Sequence, residues 1–311
     1  MPFRLKPGRP LGREVRRVFE RQLDGAIANL QAAEGPSGLD AFHEARKHVK
    51  KARAALRFVR GTLGDEFGPA KRRLGLVNRA LGTVADARAV VGTLDRLQGF
   101  DDRRLPASAI AALRTWSLAR AAHLGQRAEF DRVRDRTIRS LQAERRQADR
   151  WKLKARGRSA VIREIEATHR SARAVMNDLL ARPTARGFHA WRRRVKTELH
   201  MLRLVAGPCG DRLADDARRL AALDGCLGEL HNVCVLQDLI AAESPLSRRE
   251  TADSLRALRS YRRDLRRKAL TMGRIYHEQP RVLASRVRQL WGSPGAGAGP
   301  GVGTGSWPRV A

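Results

Sequence analysis

Apolar residues recur at steps of three and four along most of the chain, which is the spacing of one face of an α-helix. Val15, Val18, Phe19, Leu23, Ala26, Ile27 and Leu30 predict a helix over 13–33. EGPSG at 34–38 breaks it. Asp40 is placed to cap the next helix, which runs to about residue 60 with Ala45, Val49, Ala52, Leu56 and Val59 as its packing stripe. GTLGDEFGP (61–69) is a turn. Residues 70–98 predict a helix interrupted near Gly82, with Leu74, Val77, Leu81, Val84, Val90 and Leu94 inward. After a loop at 99–106, helix continues to about 150. The plan then starts again near Arg158: a helix at 159–181, a break at 182–184, a helix through 188–205, a turn at 207–211, and helices at 212–241, 247–273 and 279–292. Valines fall at helical spacing and not in period-two runs, so the fold class is all-α.

The predicted second helix carries an uneven charge. His43, Arg46, Lys50, Arg53, Arg57 and Arg60 follow one another at steps of three or four, and Glu44 is the one acid between 42 and 60. Like charges at i,i+4 repel, so this face gives up helix stability to concentrate positive charge. The same stretch occurs again 146 residues later. Phe42, His43, Arg46, Val49, Lys50, Leu56 and Arg57 correspond to Phe188, His189, Arg192, Val195, Lys196, Leu202 and Arg203. Gly64–Asp65, Arg72–Arg73–Leu74 and Leu81–Gly82 correspond to Gly210–Asp211, Arg218–Arg219–Leu220 and Leu227–Gly228. About one residue in three is identical over some fifty positions. A period this long marks a duplicated unit, about 11–150 and about 157–292, and not a solenoid of short repeats. Residues 1–10 are expected to be loose. Residues 293–311 are rich in Gly and Pro and read as a disordered tail.

Composition sharpens this reading. Lys and Arg total 63 against 32 Asp and Glu, a formal charge of +31. Such an excess calls for a polyanionic partner. No run reaches a membrane span, and MPFRLKPGRPLG lacks the apolar core of a signal peptide. Cys209, Cys226 and Cys234 form no CxxC pair and no disulfide framework, which fits a reducing cytoplasm.

Motifs for catalysis or metal binding do not hold up. HEARKH sets His43 and His48 five apart, about 140° round the helix, whereas a zinc-peptidase pair needs HExxH. HNVC (231–234) is a lone HxxC. GAGAGPG is neither preceded by a strand nor followed by a helix, and there is no P-loop. Asp86 and Asn232, at equivalent repeat positions, read as polar side chains fixing a helix turn. No nucleophile, base and orienter can be assembled. The expectation is a non-enzymatic protein with no catalytic residue, no metal ligand and no cofactor.

The two cationic rows suit an anion of many charges and little shape. Arginine forks grip phosphate, lysine adds point charge, and the opening turn of a helix offers free N–H groups. Single-stranded nucleic acid would call for stacking aromatics. Aromatic residues are only 5% of the chain, and the first cationic face has none. A linear phosphate chain is therefore favoured, with nucleic acid the second choice on charge alone.

These residues resemble the CHAD family, the conserved histidine α-helical domain. The likeness spans roughly 11–292. It rests on His43-x-x-Arg46-x-x-x-Lys50 with Leu56–Arg57, on the second copy from His189 to Arg203, and on LeuGly-x-x-x-Asp/Asn at 81–86 and 227–232. The resemblance implies two antiparallel helical bundles related by a pseudo-twofold axis, and a basic central surface that binds inorganic polyphosphate without catalysis. It points to the cytoplasm and to polyphosphate granules. Ala85 stands where the family usually has Arg, and the ExExK signature of the CYTH domain that many relatives carry is absent. The expected contacts are His43, Arg46, Lys50, Arg53, Arg57, His189, Arg192, Arg193, Lys196 and Arg203, with Arg72, Arg73, Arg218 and Arg219 on the next helix of each unit. His43 and His189 are expected in the opening turns of their helices. They should take up protons on anion binding, so that affinity rises as pH falls between about 8 and 5.

Overall fold

The computed structural model describes residues 3–33, 38–98, 106–125, 128–153, 157–209 and 213–291. The chain is all-α, and the described residues contain no strand. The helices are α1 (Leu11–Gln31), α2 (Gly38–Phe58), the single turn α3 (Arg60–Leu63), α4 (Phe67–Gln98), α5 (Ala107–Gly125) and α6 (Ala128–Asp149). They continue with α7 (Arg158–Ala181), α8 (Ala185–Cys209), α9 (Ala214–Ala242), α10 (Arg248–Met272) and α11 (Pro280–Leu290). Short 3₁₀ turns at Gly64–Glu66 and Gly273–His277 join α3 to α4 and follow α10. The residues expected to break the chain at 34–37, 99–105 and 210–211, and the tail at 293–311, lie outside the described residues. So do the side chains of 83–89, Val84, Ala85 and Asp86 among them.

The packing order of the first half returns in the second. α1 packs on α2, α2 on α4, α4 on α5 and α1 on α6; likewise α7 packs on α8, α8 on α9, α9 on α10 and α7 on α11. The halves join where α2 meets α8 and α7, and where α4 meets α9. The apolar stripes explain these pairings. Val15, Val18, Phe19, Leu23, Ala26 and Leu30 are all buried on α1, as are Phe42, Ala45, Val49, Ala52 and Leu56 on α2. Burying a side chain such as Phe19 or Leu23 contributes roughly 1.5–3 kcal/mol. Helix ends are set locally in places: Ser247 and Glu250 form a reciprocal capping box on α10.

Three expectations change. First, α4 runs unbroken through Gly82, because packing against α2, α5, α6 and α9 outweighs one weak helix former. Second, α2 starts at Gly38, so Asp40 lies inside its first turn and not at its N-cap position. Third, residues 3–6 are not loose. Leu5 is buried, and its N–H donates to the Leu204 carbonyl of α8 at 2.9 Å. The Lys6 N–H donates to Glu14 Oε2 at 2.8 Å, while Arg17 donates to the Arg4 carbonyl at 3.0 Å. The start of the chain thus straps the second half to the first.

A buried polar network anchors α7 and α8 to the Gly273–His277 turn. Tyr276 donates to Glu198 Oε2 at 2.9 Å, and His169 Nδ1 meets Glu198 Oε1 at 2.7 Å. Burial alone would lower the His169 pKa; the Glu198 carboxylate and the Glu278 carbonyl outweigh it and hold the imidazolium above its usual range.

Gly207 on α8 makes room for the strap, since a Cβ there would lie 1.9 Å from the Leu5 carbonyl oxygen. Gly207→Ala is expected to expel the strap and lower stability by about 1–3 kcal/mol. Urea denaturation, with trypsin cleavage after Arg4 as a local readout, tests this; unchanged stability and protection would refute the strap.

Candidate functional site

The apolar stripes of α2 and α8 decide where the cations go. With Val49, Leu56, Val195 and Leu202 turned into the core, Arg46, Lys50, Arg192 and Lys196 are left on the flank where the two helices meet. Lys50 is half-buried there and faces Lys196, Arg46 and Arg192. Burial, then those three charges, push its ammonium pKa well below the usual lysine range, and Asp224 opposes the shift. Lys196 is held by Asp224 Oδ2 at 2.8 Å. The two rows therefore converge into one basin built by both halves.

The LeuGly pairs seat the arginines. A Cβ on Gly82 would lie 3.3 Å from a terminal nitrogen of Arg46, and one on Gly228 would lie 3.4 Å from the matching atom of Arg192. Each guanidinium rests on helix backbone that any larger residue would crowd.

A second cluster continues the basin. Arg53 lies near Arg193, Arg79 and Arg57, which together with burial work against its charge. Arg194 lies near Arg193 and Arg57 and donates to Ser171 Oγ at 2.7 Å. Arg57 also reaches toward Glu164 on α7, at 3.4 Å, so part of its charge is already answered. Arg203 is close to Asp224 and to Lys51. Lys51 in turn stands 5.8 Å over the ring of Phe3 in the strap. Lys51, Arg79 and Arg194 were not singled out by the repeat, because their counterparts are Thr197, Gly225 and His48.

The histidines separate. α2 begins at Gly38 and α8 at Ala185, so His43 and His189 lie beyond the opening turns and their N–H groups belong to the helix. His43 is half-buried, and its Nδ1 is enclosed without a hydrogen-bond partner among the described residues. Burial foremost, with Lys47, Lys50 and Arg46, lowers its pKa to about 4. His189 is exposed, and its ring centroid is 5.0 Å from that of His231. His231 sits where the first repeat has Ala85, so the repeat alone did not mark it. His200 is buried one turn beyond Lys196, with Lys196, Arg203, Lys51 and Lys50 around it.

The weaker candidates stand differently. Arg73 ion-pairs with the buried Glu144 at 2.6 Å. Arg72 is exposed on α4. Arg218 pairs with Asp215 on its own helix, and Arg219 lines a separate recess with Met272, Arg274 and Ile275. No group of three or more His, Cys, Asp or Glu side chains with metal-binding spacing occurs among the described residues. No described helix is long and apolar enough to cross a membrane. Cys209 and Cys226 are buried thiols, raised to about 12 and about 11 by burial.

A family model for the CHAD domain matches residues 17–241. The chain belongs to the CHAD family. The match covers both cationic helices, both LeuGly seats and Asp224. A search of curated proteins found no match. In this CHAD chain, α10 and α11 lie past the matched region and close the same core against α9 and α7.

The pair with Glu144 gives Arg73 a structural role. Arg73→Ala leaves Glu144 buried and unpaired, so stability should fall by about 2–3 kcal/mol. Anion affinity should stay within about twofold at fixed salt, since surface changes away from a contact have small effects. Denaturation and binding titrations on one preparation check both halves of this expectation.

Proposed function

We propose that this CHAD protein binds inorganic polyphosphate in the basin between α2 and α8, as a binding module and not as an enzyme. The observation that carries the reading is the convergence of Lys50 and Lys196, with Arg46 and Arg192, from equivalent positions of the two halves. In the free protein these charges repel one another. A flexible phosphate chain relieves that repulsion and releases its own condensed counterions. Arg53, Arg79 and Arg193 extend the track, so a linear polymer meets cations in succession. The basin is built of Lys, Arg and His with Asp224 and Glu164, and the Phe and Trp rings of α2 and α8 (Phe42, Phe58, Phe188 and Trp191) are buried in the core. That favours phosphate chains over single-stranded nucleic acid. On this reading the protein works in the cytoplasm and at polyphosphate granules.

Affinity for long-chain polyphosphate should fall steeply with salt. Four neutralised phosphates would give a slope of log affinity on log salt of about −3. Lys50→Glu and Lys196→Glu should each weaken binding about tenfold or more, and the pair by more than about a hundredfold, because one polymer spans both rows. Fluorescence titrations against polyphosphate, duplex DNA and RNA at matched ionic strength test this. A flat salt profile, or a marked preference for one oligonucleotide sequence, contradicts it.

The pH dependence follows from His43. Its pKa is about 4 in the free fold, and an adjacent phosphate chain raises it. The complex therefore takes up a proton, and affinity climbs as pH falls, levelling off near the free-state value. The free fold behaves oppositely: a histidine lowered from 6.5 to about 4 loses its contribution to stability as pH drops across that interval. His43→Gln should flatten both profiles in the same range. An unchanged affinity profile in that variant rules out His43 as the proton-linked contact.

A further inference from the structure

The basin is not uniformly positive. Asp224 on α9 stands against Lys196 and is mostly buried, with side-chain exposure of 13%. One carboxylate oxygen binds Lys196 at 2.8 Å; the other, Oδ1, is enclosed with no hydrogen-bond partner among the described residues. Its charge also acts on Lys50 and Arg203. Asp224 lies four residues before Gly228, so it shares the helix face on which Arg192 is seated. The counterpart of Asp224 in the first repeat is Asn78, four residues before Gly82 and thus on the face that seats Arg46. Asn78 also has an enclosed Oδ1 without a hydrogen-bond partner among the described residues. At this position the two halves therefore differ in charge: the first carries a neutral amide where the second carries a carboxylate paired with Lys196.

We infer that Asp224 is an internal counter-ion that occupies the second half of the basin, and that a polyanion must displace it from Lys196 to engage that half. The inference rests on the function proposed above. It makes Asp224 the residue that sets affinity: a phosphate chain meets a neutral amide at Asn78 in the first half and completes its contacts on α8 and α9 at the expense of the Lys196 pair. A phosphate oxygen arriving beside Asp224 meets a like charge, and such juxtapositions are strongly unfavourable in a desolvated site.

Asp224→Asn keeps shape and removes the charge. Polyphosphate affinity should rise on the order of tenfold at low salt. The salt slope should steepen by about one as Lys196 becomes free to neutralise a phosphate. The reciprocal Asn78→Asp should weaken binding by a similar factor and make the halves alike. Thermal melts of both variants verify that the fold persists. Wild-type binding with equal or weaker binding by Asp224→Asn overturns this inference and leaves the functional reading intact. A wild-type chain that does not bind polyphosphate at all overturns both. If Asp224→Asn melts early, the direction of the Asn78→Asp effect decides: tighter or unchanged binding there overturns the inference.

Discussion

The constraint on which the rest depends is the gathering of like charges at the seam between two helical halves. Two unit charges about 4 Å apart repel by roughly 4 kcal/mol at the effective dielectric of a protein surface. A basin of Lys50, Lys196, Arg46 and Arg192 is stable only where apolar burial around it offsets that repulsion, at about 0.8 kcal/mol per buried methylene. The α2 and α8 stripes supply that burial, with Phe42, Val49, Leu56, Trp191, Val195 and Leu202 all nearly inaccessible. The same packing that keeps the fold closed keeps the cations facing one another. The proposed anion would relieve that repulsion, and the net positive charge of the seam is its capacity to attract one.

Local chemistry then shapes that capacity. Glycine at 82 and 228 lets the Arg46 and Arg192 guanidinium groups settle on helix backbone, which orders two long side chains before any ligand arrives. Glu164 and Asp224 draw off part of the charge, from Arg57 and Lys196 respectively. Neither acid belongs to the cationic helices, so charge balance is set by elements brought in from elsewhere in the chain. The strap adds a further tie. Leu5 and Phe3 reach across to α8 and His200, beside Lys51, and so join the start of the chain to the rim of the basin.

The helical class and the approximate helix positions were legible in the sequence, because burial of a 3.6-residue period is a local signal. The rows His43 to Arg57 and His189 to Arg203 were legible for the same reason, and their repetition was visible because the offset stays constant through the turn. Helix starts were less legible. Asp40 looks like a cap, yet α2 begins two residues earlier, and that shift alone removes His43 from the opening turn. The LeuGly pairs were visible as a motif without a reason; the close approach of Arg46 and Arg192 supplies one.

Charge and periodicity belong to the sequence by itself: an all-α duplicated chain, +31 in formal charge, with two equivalent cationic faces. Tertiary structure decided which of those cations meet. Arg73 looks equivalent to any basin arginine in the sequence, but Glu144, 71 residues away, claims it. Lys51, Arg79 and His231 have no matching residue in the other repeat, yet packing brings Lys51 beside Arg203, Arg79 beside Arg53 and His231 beside His189. Asp224 and Asn78 differ by one functional group, and only the packing of α9 against α8 sets the Asp224 carboxylate on Lys196. Sequence determines periodicity because hydrophobic burial is read along one helix. The pairing of distant charges depends on contacts between helices, which no local spacing encodes.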